Sequence, residues 1–293
     1  MKEAINTITP AQKWRNYKKH PKSMAAFILV LLSAVVTACI ILTIIGYILI
    51  KGIPHLSPRL FERTYTSENV SMTPAIINTL TMTLLSLLMA VPIGVFSAVY
   101  LVEYAKRGNK FVNLIRITTE TLSGIPSIVY GLFGYLMFAV YFKLGYSMLG
   151  GGITLAIMIL PLIMRTTEEA LKSVPDSYRE GSFGLGAGKL RTIFKIILPS
   201  AMPGILSGII LGIGRIVGET AALIYTAGTI AGIPESIMGS GRTLSVHMYA
   251  LLSEGLYTDE AYATAVILLI MVIIINALSS LIAKKFTKNG GEK

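Results

Sequence analysis

The chain has 293 residues, of which 53% are hydrophobic and 14% are charged, whereas roughly one quarter of the residues of a soluble domain are charged. This composition argues against an ordinary water-soluble domain and indicates that a lipid bilayer is the main solvent. The formal net charge of +11 would suit a nucleic-acid-binding protein, but the positions of the charges favour another explanation.

Six stretches without charged residues are long enough to cross a bilayer, which takes about 20 apolar residues. None of them alternates between apolar and polar residues with a period of two, so a barrel is not favoured. The sequence therefore predicts an all-α membrane protein with six transmembrane helices. In chain order the six stretches are Met24–Ile50, Asn69–Val102, Thr121–Phe142, Leu144–Met164, Ile196–Gly214 and Ala261–Ala283.

The lysine and arginine residues lie mainly on one side of these spans. Twenty of the 26 fall in the N-terminal tail, in the loops after the second and fourth spans, and at the C-terminus, whereas five fall in the opposite loops. Cytoplasmic loops of membrane proteins carry an excess of these two residues. Both termini are therefore predicted to be cytoplasmic, and the basic composition is explained without nucleic acid.

The first span contains Cys39, the single cysteine of the chain, after a Val-Thr-Ala sequence that resembles a lipoprotein cleavage site. The apolar run continues to Ile50, so we predict a retained helix rather than a cleaved leader. The three histidines, His20, His55 and His247, have no metal-ligand spacing. No metal and no cofactor are expected.

The least apolar internal segment, residues 165–195, follows the fourth span. Pro175 and Asp176 can open a short helix there, and Ser177 with Glu180 fits a capping box. Gly186 is expected to end this helix, because glycine adopts the left-handed conformation at low cost.

From the residues alone this loop is either a connector at the membrane surface or an element that docks on another protein. Docking is suggested by the small residues on the short helix, which would allow a partner to approach closely. These residues are Gly181, Ser182 and Gly184.

Sites for nucleotide binding or catalysis are not indicated. The segment 183–190 fails the phosphate-binding loop pattern, because Phe183 stands in place of glycine and Leu190 in place of the Ser or Thr that holds magnesium. No Ser/His pair, paired aspartates or His-rich arrangement lies at membrane depth, so an intramembrane enzyme is not favoured.

The fifth span carries a row of small and charged residues. Gly204, Gly208 and Gly212 recur every four positions, and Arg215 and Glu219 continue the row. At about 100° per residue, the five positions fall within an arc of roughly 80°. Because small residues allow helices to approach closely in lipid, we predict that this row is a packed face for which the glycines are the packing residues.

The two charges in this row have two interpretations. Arg215 and Glu219 can form an i, i+4 ion pair that fastens helices together. Alternatively, Arg215 is a cation of a translocation pathway for an anion, since a guanidinium suits oxyanions and charges at membrane depth are usually functional. Both interpretations stay open, and Glu120, near the basic edge of the third span, is expected to form an interfacial ion pair.

The loop after the fourth span resembles the EAA loop of permease subunits of bacterial ABC importers, both in residues and in spacing. The chain departs from the family where the EAA pattern favours alanine at its second and third positions. In the family this loop forms the coupling helix that inserts into the ATPase, and the resemblance carries that role to the matching positions. These are Glu180, Gly181, Ser182, Gly186, Ile196, Leu198 and Pro199, with Ser177 at the start of the helix.

Three further segments resemble phosphate-importer permeases of the PstA type, namely Gly124–Gly134, Gly214–Ala222 and Leu244–Gly255. The resemblance implies a type I ABC importer fold, the MetI-like core of five helices, with one added N-terminal helix. It implies a permease subunit of an ATP-driven inorganic phosphate importer, with ATP hydrolysis on a separate subunit. The implied partners are a PstC-type permease subunit, a dimer of PstB-type ATPases and a PstS-type phosphate-binding protein, at a bacterial or archaeal cell (inner) membrane.

The resemblance and the spans together give the expected organisation of the chain. The two rival functions are a type I permease for another oxyanion, such as sulfate or molybdate, and a stand-alone channel or secondary transporter. The expected segments are a cytoplasmic N-terminal tail 1–23, a transmembrane helix 24–50, an extracytoplasmic loop 51–73, the importer core 74–284 with its coupling loop 165–199, and a cytoplasmic tail 285–293.

Overall fold

The computed structural model describes residues 20–106 and 108–291, with side chains throughout these ranges except at 282 and 284–291. In this part of the chain all regular structure is helical, which confirms the predicted all-α membrane fold. The predictions for most of the N-terminal tail and for the last two residues lie outside the described residues. The chain divides into two units, Met1–Lys51 and Gly52–Lys293, which are described separately.

The first unit is built on helix α1, Pro21–Gly52, which includes the first predicted span. Three hydroxyl groups within its apolar stretch are satisfied inside the helix, because each donates a hydrogen bond of 2.7 or 2.8 Å to the carbonyl oxygen four residues earlier. Such internal bonding lets these three hydroxyl groups lie in a bilayer without water. The donors are Ser33, Thr37 and Thr43.

The second unit contains ten further α-helices among the described residues, and two short 3-10 helices, Ile53–His55 and Pro58–Phe61. Helical turns of the wider π type continue α2 over Tyr100–Tyr104 and α4 over Tyr135–Tyr141, and another, Ile193–Ile197, joins α7 to α8. In chain order the helices are α2 (Thr73–Val99), α3 (Lys110–Ser123), α4 (Ser127–Gly134), α5 (Met148–Lys172), α6 (Asp176–Gly184), α7 (Lys189–Thr192), α8 (Leu198–Val217), α9 (Ala221–Thr226), α10 (Leu244–Glu254) and α11 (Thr258–Gly291).

Five helices of the described chain are long and apolar enough to cross a membrane, and a bent pair brings the number to six if it is counted as one span. The bent pair is the region where Thr121–Phe142 is predicted as one span. Instead, α3 ends at Ser123, and α4 leaves at an angle of 103°. Pro126 causes this break, because its ring disfavours the helical conformation for the residue before it.

Helix α5 lies at the centre of the second unit, between α2 and α8. Its side chains Leu155, Met158 and Ile159 are fully buried against Met82 of α2 and Leu223 of α9. Burying such side chains stabilises each by roughly 1.5–3 kcal/mol when they leave water, and in a bilayer the gain comes from close packing instead.

The two ends of this unit differ in character. At one end, which we call the cap end, residues 53–72 cover α10 and the start of α2, with Leu60, Met72 and Leu251 in a shared apolar cluster. At the other end, which we call the loop end, α2 and α5 terminate beside the short helix α6. The predicted loop 165–199 is therefore mostly helical, from the last two turns of α5 to the first turn of α8.

Candidate functional site

The short helix α6 at the loop end has a well-defined stop. Gly186 adopts φ +81°, the left-handed conformation, and its N–H donates to the carbonyl oxygen of Phe183 at 2.9 Å. The N–H of Ala187 donates to the carbonyl oxygen of Ser182 at 3.1 Å. These two bonds form a Schellman motif, so Gly186 ends the helix as the sequence predicts.

The start of α6 differs from the prediction. The helix begins at Asp176 with Pro175 as the N-cap, and the N-cap position makes no side-chain hydrogen bond. Ser177 therefore lies inside the first turn, where it cannot cap the helix, and the predicted capping box with Glu180 is wrong. Proline suits this entry because its fixed φ leads directly into the helix.

One arginine ties α6 to the rest of the protein. The guanidinium of Arg179 contacts Glu103 at the end of α2, with Nη2 and Nε 2.7 and 3.2 Å from Oε1. It also donates to the carbonyl oxygens of Leu171 and Val174 at 3.1 and 2.9 Å, and to Asp176 at 3.2 Å. Arg179 thus joins three elements: the end of α2, the end of α5 and α6 itself.

A second contact holds the other end of α6. The hydroxyl groups of Ser182 and Thr192 are 2.8 Å apart and both residues are buried, which joins α6 to α7. This contact explains why a small polar residue at position 182 suits this chain in place of the alanine that the EAA pattern favours. Because Ser182 packs inward, it is not available to a partner.

The opposite face of α6 is open. Glu180 and Gly181 are exposed, and the apolar side chains Tyr178, Phe183 and Leu185 are 50%, 47% and 91% exposed. A Cβ atom built on Gly181 would meet nothing within 4 Å. The fold itself therefore does not require glycine there, and we call this surface (residues 178, 180, 181, 183 and 185) the open face of α6.

The remaining loop residues lie where the chain enters the membrane-spanning helix. Ile196 and Leu198 are partly buried against a cluster that contains the fully buried Ile193 and Ile197. Pro199 stands in the first turn of α8, directly after the π-type turn. Proline has no N–H to close a regular turn, which accounts for the wider turn before it.

Two of the three glycines of the predicted packing row face α5. A Cβ atom on Gly204 would collide with Ala170, and one on Gly208 would collide with Thr166. Gly212 differs, because a Cβ atom there would meet nothing within 4 Å although the residue is buried. The close approach of α8 to α5 therefore depends on Gly204 and Gly208.

Arg215 and Glu219 are not brought together. Helix α8 ends at Val217, so Glu219 lies beyond it and turns to accept a hydrogen bond at Oε1 from the N–H of Ala222, at 3.1 Å. In the described ranges no carboxylate oxygen lies within 4.0 Å of the half-buried Arg215. The i, i+4 pair is therefore absent, because the helix that would align the two residues has stopped.

The ion pair expected for Glu120 is not found either within the described part of the chain. On α5, Arg165 pairs instead with Glu169, at 3.0 Å. Nearby, Glu168 forms ion pairs with Arg116 and Lys172, whose side-chain nitrogens lie 2.7 and 2.6 Å from its Oε1.

The sequence also gives no sign of a buried basic cluster at the cap end. Arg242 is 4% exposed and its guanidinium carbon lies 4.7 Å from the centre of the Tyr65 ring, while His247 is 1% exposed and meets the same ring edge-on. Burial, with the charge of Arg242, lowers the pKa of His247 to about 3, so the imidazole is neutral at physiological pH.

The chain is similar in sequence to known membrane transport proteins. Residues 90–289 match the family described as "Binding-protein-dependent transport system inner membrane component". The probable ABC transporter permease protein YqgI of Bacillus subtilis is 34% identical over 281 residues, which cover 88% of this chain and 95% of that protein. The phosphate transport system permease protein PstA of Pasteurella multocida is 35% identical over 230 residues, 77% of this chain and 81% of that protein.

Two solved structures have a similar fold. A bacterial alginate ABC transporter in complex with its pentasaccharide-bound periplasmic protein contains a chain that matches with a TM-score of 0.69 at 16% identity, covering 94% of this chain and 99% of that one. The MetNI methionine ABC transporter contains a chain that matches with a TM-score of 0.58 at 20% identity, covering 73% and 93%. At these identities the likeness concerns the fold.

Proposed function

Because the chain belongs to the family of inner membrane components of binding-protein-dependent transport systems, we propose that it is one permease subunit of an ATP-driven importer of inorganic phosphate. The family consists of transporter subunits rather than enzymes, so the chain is a membrane permease of a type I ABC importer. Substrate, partners and orientation are parts of the proposal.

The observation that carries the proposal is the combination of anchorage and openness in α6. Arg179 and Ser182 fix one side of the helix to the ends of α2, α5 and α7. The other side leaves a carboxylate, two aromatic rings and a glycine exposed together. A rigidly held helix with an unfilled apolar face is suited to transmit movement from a partner, and we assign its open face to the ATPase.

Arg215 is assigned to the translocation pathway. It is a half-buried guanidinium within a span, with no carboxylate within hydrogen-bonding reach in the ranges 20–106 and 108–291. Gly212 and Gly214 beside it leave room for a Cβ atom. An unpaired guanidinium in a region of low dielectric attracts an anion strongly, and its fork of N–H groups suits a tetrahedral oxyanion.

Phosphate is preferred over other oxyanions because several relatives that are about one third identical carry the name of phosphate transport permeases. The segments around Gly124 and Arg215 support the same branch by resemblance. Sulfate and molybdate stay as alternatives, because a single guanidinium does not distinguish one tetrahedral oxyanion from another.

We propose that the loop end faces the cytoplasm, since most lysine and arginine residues outside the spans fall on that side. A PstC-type subunit would complete the pore, a PstB-type ATPase dimer would dock at α6, and a PstS-type binding protein would meet the cap end. A stand-alone channel is less favoured, because it would need neither the anchorage of α6 nor its open face.

Transport in proteoliposomes tests this function. The chain would be reconstituted with its copurifying partners, ATP and the binding protein, and uptake of phosphate, sulfate and molybdate compared. Phosphate uptake that requires ATP supports the proposal. Equal or faster uptake of another oxyanion would change the substrate, and uptake without ATP would support the channel or secondary transporter.

A further inference from the structure

Three cavities meet at Leu101, near the end of α2, between the π-type turn Tyr100–Tyr104, α3 and α5. The largest has a volume of about 750 Å3 and is lined mainly by polar side chains at the loop end. A neighbouring groove of about 410 Å3 is lined mainly by apolar ones. We call them the basic cleft and the apolar groove.

The basic cleft carries an excess of positive charge. Five of its basic residues face two acidic ones, Glu103 and Asp176. The basic residues are Lys106, Lys110, Arg116, Lys172 and Arg179.

Most of these cations already have carboxylate partners. Arg116 and Lys172 share Glu168, and Arg179 binds Glu103. Lys106 and Lys110 have no carboxylate within 4.0 Å among the residues that the structure describes. The cleft therefore presents two ammonium groups that are not neutralised by a salt bridge.

The apolar groove begins where the cleft ends. Phe96, Tyr100 and Phe111 line it and are 57%, 49% and 60% exposed, and Ile115 and Met164 form its floor. A small soluble anion has no apolar surface that it could bury in such a groove. A ligand that fits both cavities has an anionic group joined to a hydrocarbon chain.

Helix α3 places the two cavities at the level of a membrane surface. Lys110 and Arg116 line the cleft, whereas Phe111, Leu114 and Ile117 are 60%, 58% and 54% exposed. The helix turns by 103° from the apolar segment Ser127–Tyr141 that follows it. An amphipathic helix at this angle lies in the plane of the interface, with its apolar side towards the acyl chains.

We propose that the basic cleft and apolar groove bind one anionic phospholipid from the leaflet at the loop end. Lys106 and Lys110 hold the phosphate of its headgroup, and an acyl chain lies along Phe96, Tyr100 and Phe111. Basic pockets beside membrane helices on the cytoplasmic side are suited to anionic headgroups. The inference rests on the orientation proposed above, and it does not depend on the transported substrate.

The experiment measures lipid retention by the purified permease complex, without ATP and without substrate. The complex is exchanged into nanodiscs or detergent with defined lipids, and native mass spectrometry counts bound phosphatidylglycerol against phosphatidylcholine. The double substitution Lys106→Gln with Lys110→Gln is compared with a control of the same charge change, Lys143→Gln with Lys195→Gln. Both control lysines are exposed and outside the cleft.

The cleft substitutions should weaken retention of phosphatidylglycerol by about 25-fold, since each lysine near an anionic surface contributes about a factor of five. The control should retain it within about twofold. Phe111→Ser, which leaves the cleft charges unchanged, should also lower retention.

Three results would overturn the inference. The first is equal loss in the cleft and control variants, and the second is equal retention of phosphatidylcholine. The third is complete displacement of bound phosphatidylglycerol by soluble glycerol phosphate or inorganic phosphate, which would assign the cleft to a free anion. A failure of phosphate transport in the proteoliposome assay would leave all these measurements unchanged, so the two proposals can fail separately.

Discussion

Nη2 of Arg179 lies 2.7 Å from Oε1 of Glu103, although the two residues are 76 positions apart in the chain. Their side chains are 16% and 8% exposed, so this ion pair is largely removed from water. Breaking a buried pair leaves an uncompensated charge, which is far more costly than losing a surface pair. The pair therefore joins α6 to the end of α2, and its loss should loosen the position of both helices.

The first prediction concerns this link. Glu103→Gln and Arg179→Gln should each destabilise the protein by on the order of 3 kcal/mol and reduce ATP-driven uptake. The double variant should lose less than the two single losses added together, because each single change already removes the contact between Arg179 and Glu103. Unfolding in detergent and uptake in proteoliposomes measure the two effects.

A matched control is the Arg165–Glu169 pair, whose side chains are both 64% exposed. Glu169→Gln should change stability by less than about 1 kcal/mol, as exposed pairs contribute little. If the Glu103 and Arg179 losses simply added, the two residues would not act as a pair.

The second prediction concerns the open face of α6. Glu180→Lys should lower copurification of the ATPase by about tenfold, the effect of losing one charge-assisted contact of about 1.4 kcal/mol, while membrane insertion stays normal. Pull-down of the ATPase from detergent extracts measures it. Glu254→Lys, an exposed position at the cap end, is the control. Unchanged copurification of the Glu180 variant would remove α6 from the docking surface.

The third prediction concerns Arg215. Arg215→Gln should reduce phosphate uptake by at least about tenfold, because one charge-assisted hydrogen bond contributes about 1.5–3 kcal/mol, and should leave assembly of the complex intact. Arg215→Lys keeps the charge but not the bidentate geometry and should retain part of the activity. Arg59→Gln, an exposed arginine at the cap end, should transport normally. Normal uptake by the Arg215→Gln variant would make Arg215 a structural residue.

The fourth prediction concerns orientation. A tag fused to either terminus should be protected from protease added outside intact cells, and should be cleaved after the membrane is opened. A protease site inserted near the exposed Leu256 at the cap end should behave in the opposite way. Cleavage of the terminal tags from outside would reverse the proposed topology, and with it the leaflet assigned to the lipid site.

The fifth prediction concerns pH. His247 has its pKa lowered to about 3 in the folded protein, whereas a histidine in an unfolded chain titrates near 6.5. The unfolded state therefore binds more protons between these values, and stability falls by about 1.4 kcal/mol per pH unit as the pH drops from about 6.5 towards 3. Above pH 6.5 His247 contributes no pH dependence.

Unfolding in detergent between pH 4 and pH 8 measures this dependence. The variant His247→Gln should lose the part of the slope that lies below pH 6.5, whereas His20→Gln, at an exposed position, should keep it. The same slope in both variants would assign the pH dependence to other groups.

Much of the fold follows from the sequence, because a long uncharged apolar stretch in a bilayer is expected to form a transmembrane helix. The third span is the exception. Its apolar run is continuous through Gly124 and Pro126, so hydropathy predicts one helix where the backbone turns by 103°. The proline was the available signal, but membrane helices often tolerate proline, so its presence alone does not decide between a kink and a break.

The candidate site is less predictable. Gly186 could be placed because the left-handed conformation has a residue signature. The partnership of Arg179 with Glu103 could not, since nothing in local spacing joins residues 76 positions apart. Glu219 shows the opposite failure: an i, i+4 pattern predicts a pair only as long as the helix continues, and α8 ends two residues before it. The roles of the loop residues and of Arg215 stay predictions.

The bend before α4 also affects the surrounding bilayer. The segment from Ser127 to Tyr141 rises only about 22 Å at 1.5 Å per residue, whereas the hydrocarbon layer is about 30 Å thick. Such a mismatch is relieved by a thinner local bilayer or by a neighbouring subunit that shields the shortfall. Transport by this permease should therefore depend on the acyl chain length of the surrounding lipids. Thinner membranes should reduce the mismatch at the segment that begins with α4.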